Sequence, residues 1–458
     1  MALPPPPFTF AVRRSPPELI VPARPTPREL KKVSDIDDQE GLRFQISFVM
    51  FYRSLPSMKG RDPVEIIRKA LSEALVFYYP FAGRLIEGPN RKLIVDCNGE
   101  GILFIEADAD ITIEQLGDSM QPPCPCIEEL LYDVPGSSGI IGCPLLLIQI
   151  TRLACGGFVF AVRLNHVMSD SVGLAKFFKA TGEIAKGACM PSLFPVWQRE
   201  ILSARNPPQV THKLEEYEEI KHTDDKSILT LDSPDMVQRA FFFGPKEMRS
   251  LRRQLPSHLR NCSSFEMLAA CLWRCRTIAF DIPPNEVVRL SCIMNVRGKK
   301  GLQLPDGYCG NSFIFPAVLS RAEHLCKNPL GYAVELVRKS KSKMSEEYIR
   351  STIDLMEIKG RPHYVTAWNL LLVDMSHVGL ADVDFGWGNP VYFGPTGSFP
   401  NISMFSRFKN SKGENGFVVP MWLPRTVMEK FQDEFLKMTE ESAENLNDAR
   451  RQRIISTL

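Results

Sequence analysis

Apolar and polar positions along the chain follow two different periods, and this pattern predicts helices and strands interleaved from end to end. Asp62-Pro63 indicates a helix start, because aspartate suits the N-cap and proline suits the first turn. Apolar residues then recur at helical spacing as far as Tyr78. The segments CPLLLIQITRL and GGFVFAVRLN predict a β-hairpin with its turn around residues 154–157. We therefore expect an α/β fold.

The same reading gives elements in both halves of the chain. KLIVDC and GILFIEAD predict two further strands in the first half. In the second half, residues 263–280 predict a helix, and VVRLSCIMNVRG predicts a buried strand. Asn328-Pro329 indicates the start of another helix, and LPRTVMEKFQDEFLKM predicts a last amphipathic helix. Residues 190–225 between the halves are rich in proline and charge and indicate a long connection. Two halves joined in this way favour a ligand cleft at their interface.

Length, charge and targeting signals narrow the functional class. A chain of 458 residues predicts two or three domains. Its formal net charge of +2 gives no reason to expect a nucleic acid or an acidic membrane as partner. No segment approaches the roughly 20 apolar residues that span a bilayer, and the proline-broken N-terminus does not resemble a signal peptide. Most of the twelve cysteines lie in apolar stretches, so we expect a cytoplasmic protein with free thiols.

Candidate chemistry begins where an alternating strand pattern stops at His166. Ser169 and Asp170 suit a helix N-cap, and the apolar residues after them repeat at helical spacing. His166 is therefore predicted on a tight connection between a strand and a helix. An imidazole fixed in this way could act as a general base near neutral pH. The spacing H-x-x-x-D is equally compatible with a strand end followed by a capping turn.

A second motif and several further segments add to this one. Residues 384–388 read DFGWG, and the chain also contains YYPFAGRL, the run Tyr-Cys-Gly-Asn at 308–311 and NVRG at 295–298. With His166-Val-Met-Ser-Asp170, these segments resemble the BAHD family of plant acyltransferases over nearly the whole chain. SDIDDQEGLRFQ and CPLLLIQITRLACGGF are most similar to its alcohol acyltransferase subgroup, which includes benzyl alcohol O-benzoyltransferases.

The resemblance implies a fold and a division into domains. It implies a two-domain, chloramphenicol-acetyltransferase-like α/β fold, in which each domain has a mixed sheet with flanking helices and a tunnel lies at the interface. We expect an N-terminal domain at residues 1–195, completed by a returning segment near 386–410. A crossover linker at 196–225 would lead to a C-terminal domain at 226–458.

The resemblance also implies roles for motif residues. His166 would be the general base, and Asp170 would support its loop by pairing with Arg297. Asp384 is included among the catalytic candidates. The main role expected of its motif is structural, with Gly386, Trp387 and Gly388 bracing a loop. Val167, Ser171 and Val172 flank the base and are expected to contact substrate.

Acyl-CoA is the implied co-substrate, without a permanently bound cofactor or a metal. Ser263, Ser264, Arg297 and Lys299 are the candidates for contacting coenzyme A. A serine that opens a helix is more often only a cap. The chain departs from the family pattern in two places. Ser376-His377 stands where many relatives have threonine-arginine, and Cys309 stands where the family usually has phenylalanine.

These observations predict transfer of an acyl or benzoyl group from acyl-CoA to the hydroxyl of a small alcohol by a monomeric enzyme. Acylation of a larger alkaloid or terpenoid alcohol, or of an amine, remains an alternative. A catalytically inactive acyl-CoA or ligand-binding protein is the alternative of another class. Neither a G-x-S-x-G elbow, a P-loop nor a G-x-G-x-x-G motif occurs, so hydrolase, kinase and dehydrogenase functions have no support in the sequence.

Overall fold

A computed structural model describes residues 9–218, 235–397 and 399–440 of the chain. Residues 219–225 of the predicted linker lie outside the described residues. So do residues 226–234 and 441–458, the two ends of the predicted C-terminal domain. Across the described ranges, no helix combines the length and apolar character needed to span a membrane.

The described residues contain helices and strands in alternation along the chain. The helices are α1 (Pro63–Phe77), α2 (Ile113–Leu116), α3 (Ile127–Leu130), α4 (Ser171–Ala185), α5 (Pro245–Arg253), α6 (Ser264–Ala279), α7 (Ala322–Lys327), α8 (Leu330–Ser342), α9 (Glu346–Ile358) and α10 (Arg425–Thr439). The strands of the first half are β1 (Val12–Arg14), β2 (Glu18–Ile20), β3 (Leu30–Lys32), β4 (Gln45–Tyr52), β5 (Arg84–Glu87), β6 (Leu93–Asp96), β7 (Ile102–Ala109), β8 (Leu146–Leu153) and β9 (Phe158–Asn165). Those of the second half are β10 (Met236–Phe243), β11 (Val287–Cys292), β12 (Met294–Asn295), β13 (Phe313–Ile314), β14 (Ala317–Arg321), β15 (Asn369–Asp374), β16 (Tyr392–Pro395), β17 (Ile402–Lys409) and β18 (Asn415–Pro424).

The first sheet has seven strands, in the order β1-β7-β8-β9-β4-β16, with β2 also paired to β7. Side chains alternate between its two faces, as strand geometry requires. In β4, Phe48 and Met50 join the core beneath α1 and α4, whereas Val49 and Phe51 join a second buried cluster on the opposite face. Both faces are therefore covered, which explains why most residues of β8 and β9 are apolar and buried.

The second sheet has six strands, in the order β10-β18-β17-β15-β11-β14. Helix α6 packs against both α8 and α10 on this sheet. Helix α6 is buried over most of its circumference, and Trp273 lies at its centre with 1% exposure. The second sheet and these helices enclose a core of their own.

Strand β16 connects the two sheets. It lies between β15 and β17 in the chain, and both of those strands belong to the second sheet. Tyr392 nevertheless pairs with Phe51, so that β16 runs antiparallel to β4 at the edge of the first sheet. The chain thus leaves the second sheet after Asp374, joins the first sheet in β16, and is back in the second sheet at Ile402. The domain boundaries at 195 and 225 remain a prediction.

Several predicted elements are present with small shifts at their ends. The hairpin forms as β8 and β9, which pair antiparallel, with Gly156 in a left-handed conformation at the turn. Asp62 caps α1 by accepting a hydrogen bond from the Val64 N–H. Asn328 was expected to open α8. Its side-chain amide instead donates to the His324 carbonyl and closes α7, and Pro329 precedes α8 without a side-chain cap.

Candidate active site

His166 lies at the wall of a cavity between the two sheets. It follows the last residue of β9, and its backbone N–H donates to the Phe44 carbonyl at 2.9 Å. The centroid of its ring lies 5.2 Å from that of Phe44 and 6.1 Å from that of Phe313. The cavity measures about 230 Å³, and its walls come from β4, β15 and β17 as well as from the His166 loop. Most of its lining side chains are apolar or aromatic.

Burial favours the neutral form of the His166 imidazole. It lowers the pKa of His166 below the ordinary value. The backbone of His166 itself, the Asn311 side chain and the charges of Asp170 and Asp37 act in the opposite direction. Within the described part of the chain, the buried Nδ1 has no well-aligned hydrogen-bond partner. A neutral imidazole against an apolar cavity can accept a proton from a bound substrate.

Asp170 fixes the other end of this loop. Its carboxylate caps α4 by accepting from the Gly173 N–H at 2.8 Å. Arg297 donates to both carboxylate oxygens, at 2.7 and 3.0 Å, and the Ser312 N–H donates at 3.0 Å. Burial alone would raise the pKa of Asp170, but the Arg297 charge and these hydrogen bonds leave that pKa below its ordinary value. The structure therefore contains the expected ion pair, and Asp170 supports the loop from a position at the edge of the cavity, which it also lines.

The three residues expected to contact substrate are placed differently. Ser171 and Val172, in the first turn of α4, line the cavity. Val167 does not: it is fully buried in the first core and is absent from the cavity wall. The structure thus corrects this expectation. The residue after His166 points to the opposite side of the turn, away from the imidazole.

Asp384 belongs to a separate turn. Its carboxylate accepts from the N–H groups of Gly386 at 2.7 Å and Gly388 at 2.8 Å, and from the Lys186 ammonium at 3.0 Å. Both glycines have positive φ, at 110° and 75°, which only glycine adopts easily. Trp387 is buried and packs edge-on against Phe158. These contacts favour the bracing role of this motif over a catalytic role for Asp384, which does not line the cavity.

The candidates for contacting coenzyme A do not line the cavity either. Ser263 caps α6 in a capping box with Glu266, whose carboxylate also pairs with Arg338 at 3.2 Å and Lys341 at 2.8 Å. Ser264 is the first residue of that helix and is partly exposed. Lys299 donates to the Met344 carbonyl. Contact between these residues and coenzyme A remains a prediction.

The pair Ser376-His377, which replaces the threonine-arginine of many relatives, lies at the cavity. His377 lines it, and its Nε2 is 3.4 Å from a guanidinium nitrogen of Arg407 on β17. Ser376 donates its hydroxyl and its backbone N–H to Asp374. A positive charge is therefore present beside position 377, although it comes from a neighbouring strand.

Several site residues were not identified from the sequence. Phe44 and Phe313 flank the imidazole, but they are far from His166 in the chain. A buried polar group formed by Asp37, Arg199 and Asn311 lies beneath the loop. Sequence analysis noted the segments that contain Asp37 and Asn311, SDIDD at 34–38 and Tyr-Cys-Gly-Asn at 308–311, but it did not identify these residues as part of the site.

The cysteines form no site. All twelve are free thiols, and Cys124 in the Cys-Pro-Cys segment is buried. Among the described residues, no group of three or more His, Cys, Asp or Glu side chains is arranged to hold a metal ion.

Solved structures show the same fold. Vinorine synthase superposes with a TM-score of 0.72 at 22% identity, covering 94% of this chain and all of that one. TRI101 of F. graminearum, crystallised with coenzyme A and T-2 mycotoxin, gives a TM-score of 0.68 at 17% identity, covering 89% of this chain and 98% of that one. These similarities confirm the predicted α/β fold class.

Sequence comparisons identify the family. The family model described as Transferase family matches residues 10–438. A benzyl alcohol O-benzoyltransferase of Petunia hybrida is 59% identical over 442 residues, which cover 95% of each chain. An alcohol acyl transferase of Malus domestica, allele GSa, is 55% identical over 452 residues, covering 98% of each chain. These matches confirm the resemblance, and the chain belongs to the transferase family of BAHD acyltransferases.

Proposed function

We propose that this enzyme transfers an acyl group, such as benzoyl, from acyl-CoA to the hydroxyl of a small alcohol. The observation that carries the proposal is a partly exposed imidazole, with a lowered pKa, on the wall of a largely apolar cavity between two sheets. The named relatives, an alcohol acyl transferase and a benzyl alcohol O-benzoyltransferase, support this reaction class. We also expect the enzyme to act as a monomer in the cytosol.

In this proposal His166 is the general base. Its neutral ring takes the proton of the alcohol as the alcohol oxygen attacks the thioester carbonyl. A carbon–oxygen bond forms, and the tetrahedral intermediate then breaks its carbon–sulfur bond. The leaving thiolate of coenzyme A recovers the proton from the imidazolium, so the products are an ester and free coenzyme A. A positioned base contributes roughly 10²–10⁴-fold to such a step.

The rings around His166 favour an aromatic or short aliphatic substrate. Phe44 and Phe313 face the imidazole, and Phe399 packs edge-on against Phe44 at 5.6 Å. Aromatic groups pack well in offset or edge-on contact with such rings. Two carboxylates line the cavity, but Asp170 is already paired with Arg297 and Asp374 accepts from Ser376. The rest of the wall is mostly apolar, so a charged acceptor would lose more hydration there than a neutral one. An uncharged alcohol fits this lining better than a protonated amine.

The remaining motif residues take supporting roles in this proposal. Asp170 and Arg297 hold the loop of the base, and the Asp384–Gly388 turn braces the first sheet. Ser263, Ser264, Arg297 and Lys299 are proposed to contact the coenzyme A moiety outside the cavity. Ser171 and Val172 would contact the substrate next to the base.

A matrix of acyl-CoAs against alcohols and amines, assayed by release of free thiol, tests the proposal. Benzoyl-CoA with benzyl alcohol and short aliphatic alcohols is expected to turn over, and the corresponding amines are not. His166→Ala serves as the inactive control. Turnover of amines alone would contradict the acceptor class, and no turnover with any pair would favour a binding protein.

A further inference from the structure

A buried polar layer lies directly beneath the loop of His166, and we define it as Asp37, Arg199 and Asn311. All three side chains are at most 2% exposed. They come from three distant parts of the chain: the SDIDD segment, the connection after α4, and the Tyr-Cys-Gly-Asn run. None of them lines the substrate cavity. Arg199 also lines a second cavity beside Trp197, while its guanidinium donates to Asp37 and to the Met168 carbonyl.

The layer holds consecutive backbone carbonyls of the loop. The Asn311 side-chain amide donates to the His166 carbonyl at 2.8 Å and lies 3.3 Å from the Val167 carbonyl. Arg199 donates to the Met168 carbonyl at 2.8 Å. The backbone of the base is thus fixed from below by two side chains, while β9 fixes it from one end.

Asp37 joins these two donors. One carboxylate oxygen accepts from the backbone N–H and the side-chain amide of Asn311, at 2.8 and 2.9 Å. The other accepts from Arg199 at 2.7 Å and from the Ser34 hydroxyl at 2.7 Å. The Asn311 orientation follows from this, because all the neighbours of its nitrogen are acceptors.

We propose that Asp37 is a positioning residue for acyl transfer, acting on His166 through Asn311 and Arg199. The inference rests on the proposed function, in which His166 is the base. A misplacement of about 1 Å in a catalytic group can reduce the rate about a hundredfold. Asp37 sets the position of both side chains that hold the His166 loop, so its loss would be transmitted to the imidazole without any change in the cavity wall.

The charge of Asp37 gives a readout that a purely structural role would not. Asp37 and Asp170 both favour protonation of His166, against the larger effect of burial. Asp37 is paired with the buried Arg199, and Asp170 with Arg297, whose side chain is 13% exposed. The other titratable side chains on the cavity wall are Tyr364, Asp374 and His377. Removal of the Asp37 charge alone should therefore lower the pKa of His166.

The test compares Asp37→Asn with Asp35→Asn. Asp35 is a matched control because it is a buried carboxylate in the same segment. It pairs with Lys92 and accepts from the Ala204 N–H, and it touches neither Asn311 nor the His166 loop. With benzoyl-CoA and benzyl alcohol, Asp37→Asn should lose about a hundredfold in kcat with little change in either KM. The acidic limb of its kcat/KM profile should move to lower pH, whereas Asp35→Asn should behave as the wild type.

A second variant decides the matter if Asp37→Asn fails to fold. Asn311→Ser keeps the Asp37–Arg199 pair and the backbone hydrogen bond to Asp37, but it loses the contacts to the two carbonyls. It should lose at least about tenfold in kcat with unchanged KM values. Wild-type kcat in this folded variant would overturn the proposal, as would equal losses in Asp37→Asn and Asp35→Asn. Either result leaves the proposed function intact, which fails only if wild type releases no thiol or His166→Ala remains active.

Discussion

The loops of His166 and Asp384 are built alike and differ in what surrounds them. In each, an aspartate accepts backbone N–H groups a few residues ahead and pairs with a cation. The Asp170–Arg297 pair has side chains only 10% and 13% exposed, whereas the Asp384–Lys186 pair has 29% and 46%. The same local chemistry is thus buried beside the cavity in one loop and partly hydrated in the other.

This difference in burial predicts that the two ion pairs contribute unequally to the free energy of unfolding. A buried ion pair that loses one partner leaves an uncompensated charge and costs about 3–5 kcal/mol, whereas an exposed pair contributes about 0–1 kcal/mol. The loop that carries the proposed base should therefore depend strongly on its aspartate. The Asp384 loop should depend more on its glycines and on the buried ring of Trp387.

Asp170→Asn should have the largest effect. It leaves Arg297 buried without its counter-charge, so we expect the free energy of unfolding to fall by about 3–5 kcal/mol. Activity should fall as well, because Arg297 and Ser312 no longer hold the loop. Chemical unfolding and thiol release measure the two effects. A variant with wild-type stability would contradict the role given to the ion pair.

Asp384→Ala should have a smaller effect. It removes the acceptor for two backbone N–H groups, which costs about 1–3 kcal/mol if both become buried without partners. The rate of thiol release should fall only in proportion to the folded fraction. Circular dichroism and active-site titration on the same sample separate these quantities. A loss of kcat in fully folded protein would restore a catalytic role for Asp384.

The free energy of unfolding should depend on pH in the acid range through both aspartates. The pKa values of Asp170 and Asp384 both lie below the ordinary value, so the unfolded state binds more protons as the pH falls. Their stabilising contributions are therefore complete above about pH 4 and are lost as the pH falls through the folded-state pKa values. The slope of unfolding free energy against pH, measured below about pH 4, should be shallower in Asp170→Asn than in wild type. Coincident slopes would contradict the lowered pKa of Asp170.

Lys186→Met should have the smallest effect. The lysine side chain is 46% exposed, and its ion pair with Asp384 is hydrated. We expect a change in stability of less than about 1 kcal/mol, which 0.5 M salt should reduce further. Arg297→Met is the matched variant for the buried pair. Similar losses in the two variants would show that burial does not separate the loops.

The sequence predicted what local pattern determines. The hairpin of β8 and β9 follows from alternating apolar residues, and the His166–Asp170 turn follows from a strand end next to a helix cap. The side chains that complete the site could not be predicted in this way, because Phe44, Asp37 and Asn311 reach the loop only after the two sheets form. Val167 was misplaced for a related reason, since spacing along the chain does not show which side of a tight turn a side chain takes.

The most direct test of the central claim is the pH dependence of single-turnover acyl transfer in wild type, His166→Ala and His258→Ala. His258 is an exposed histidine paired with Glu335, so it controls for loss of an imidazole. We predict that His166→Ala loses at least about a hundredfold in rate and the acidic limb of the profile, and that His258→Ala retains both. Equal rates and an unchanged limb in folded His166→Ala would contradict His166 as the base.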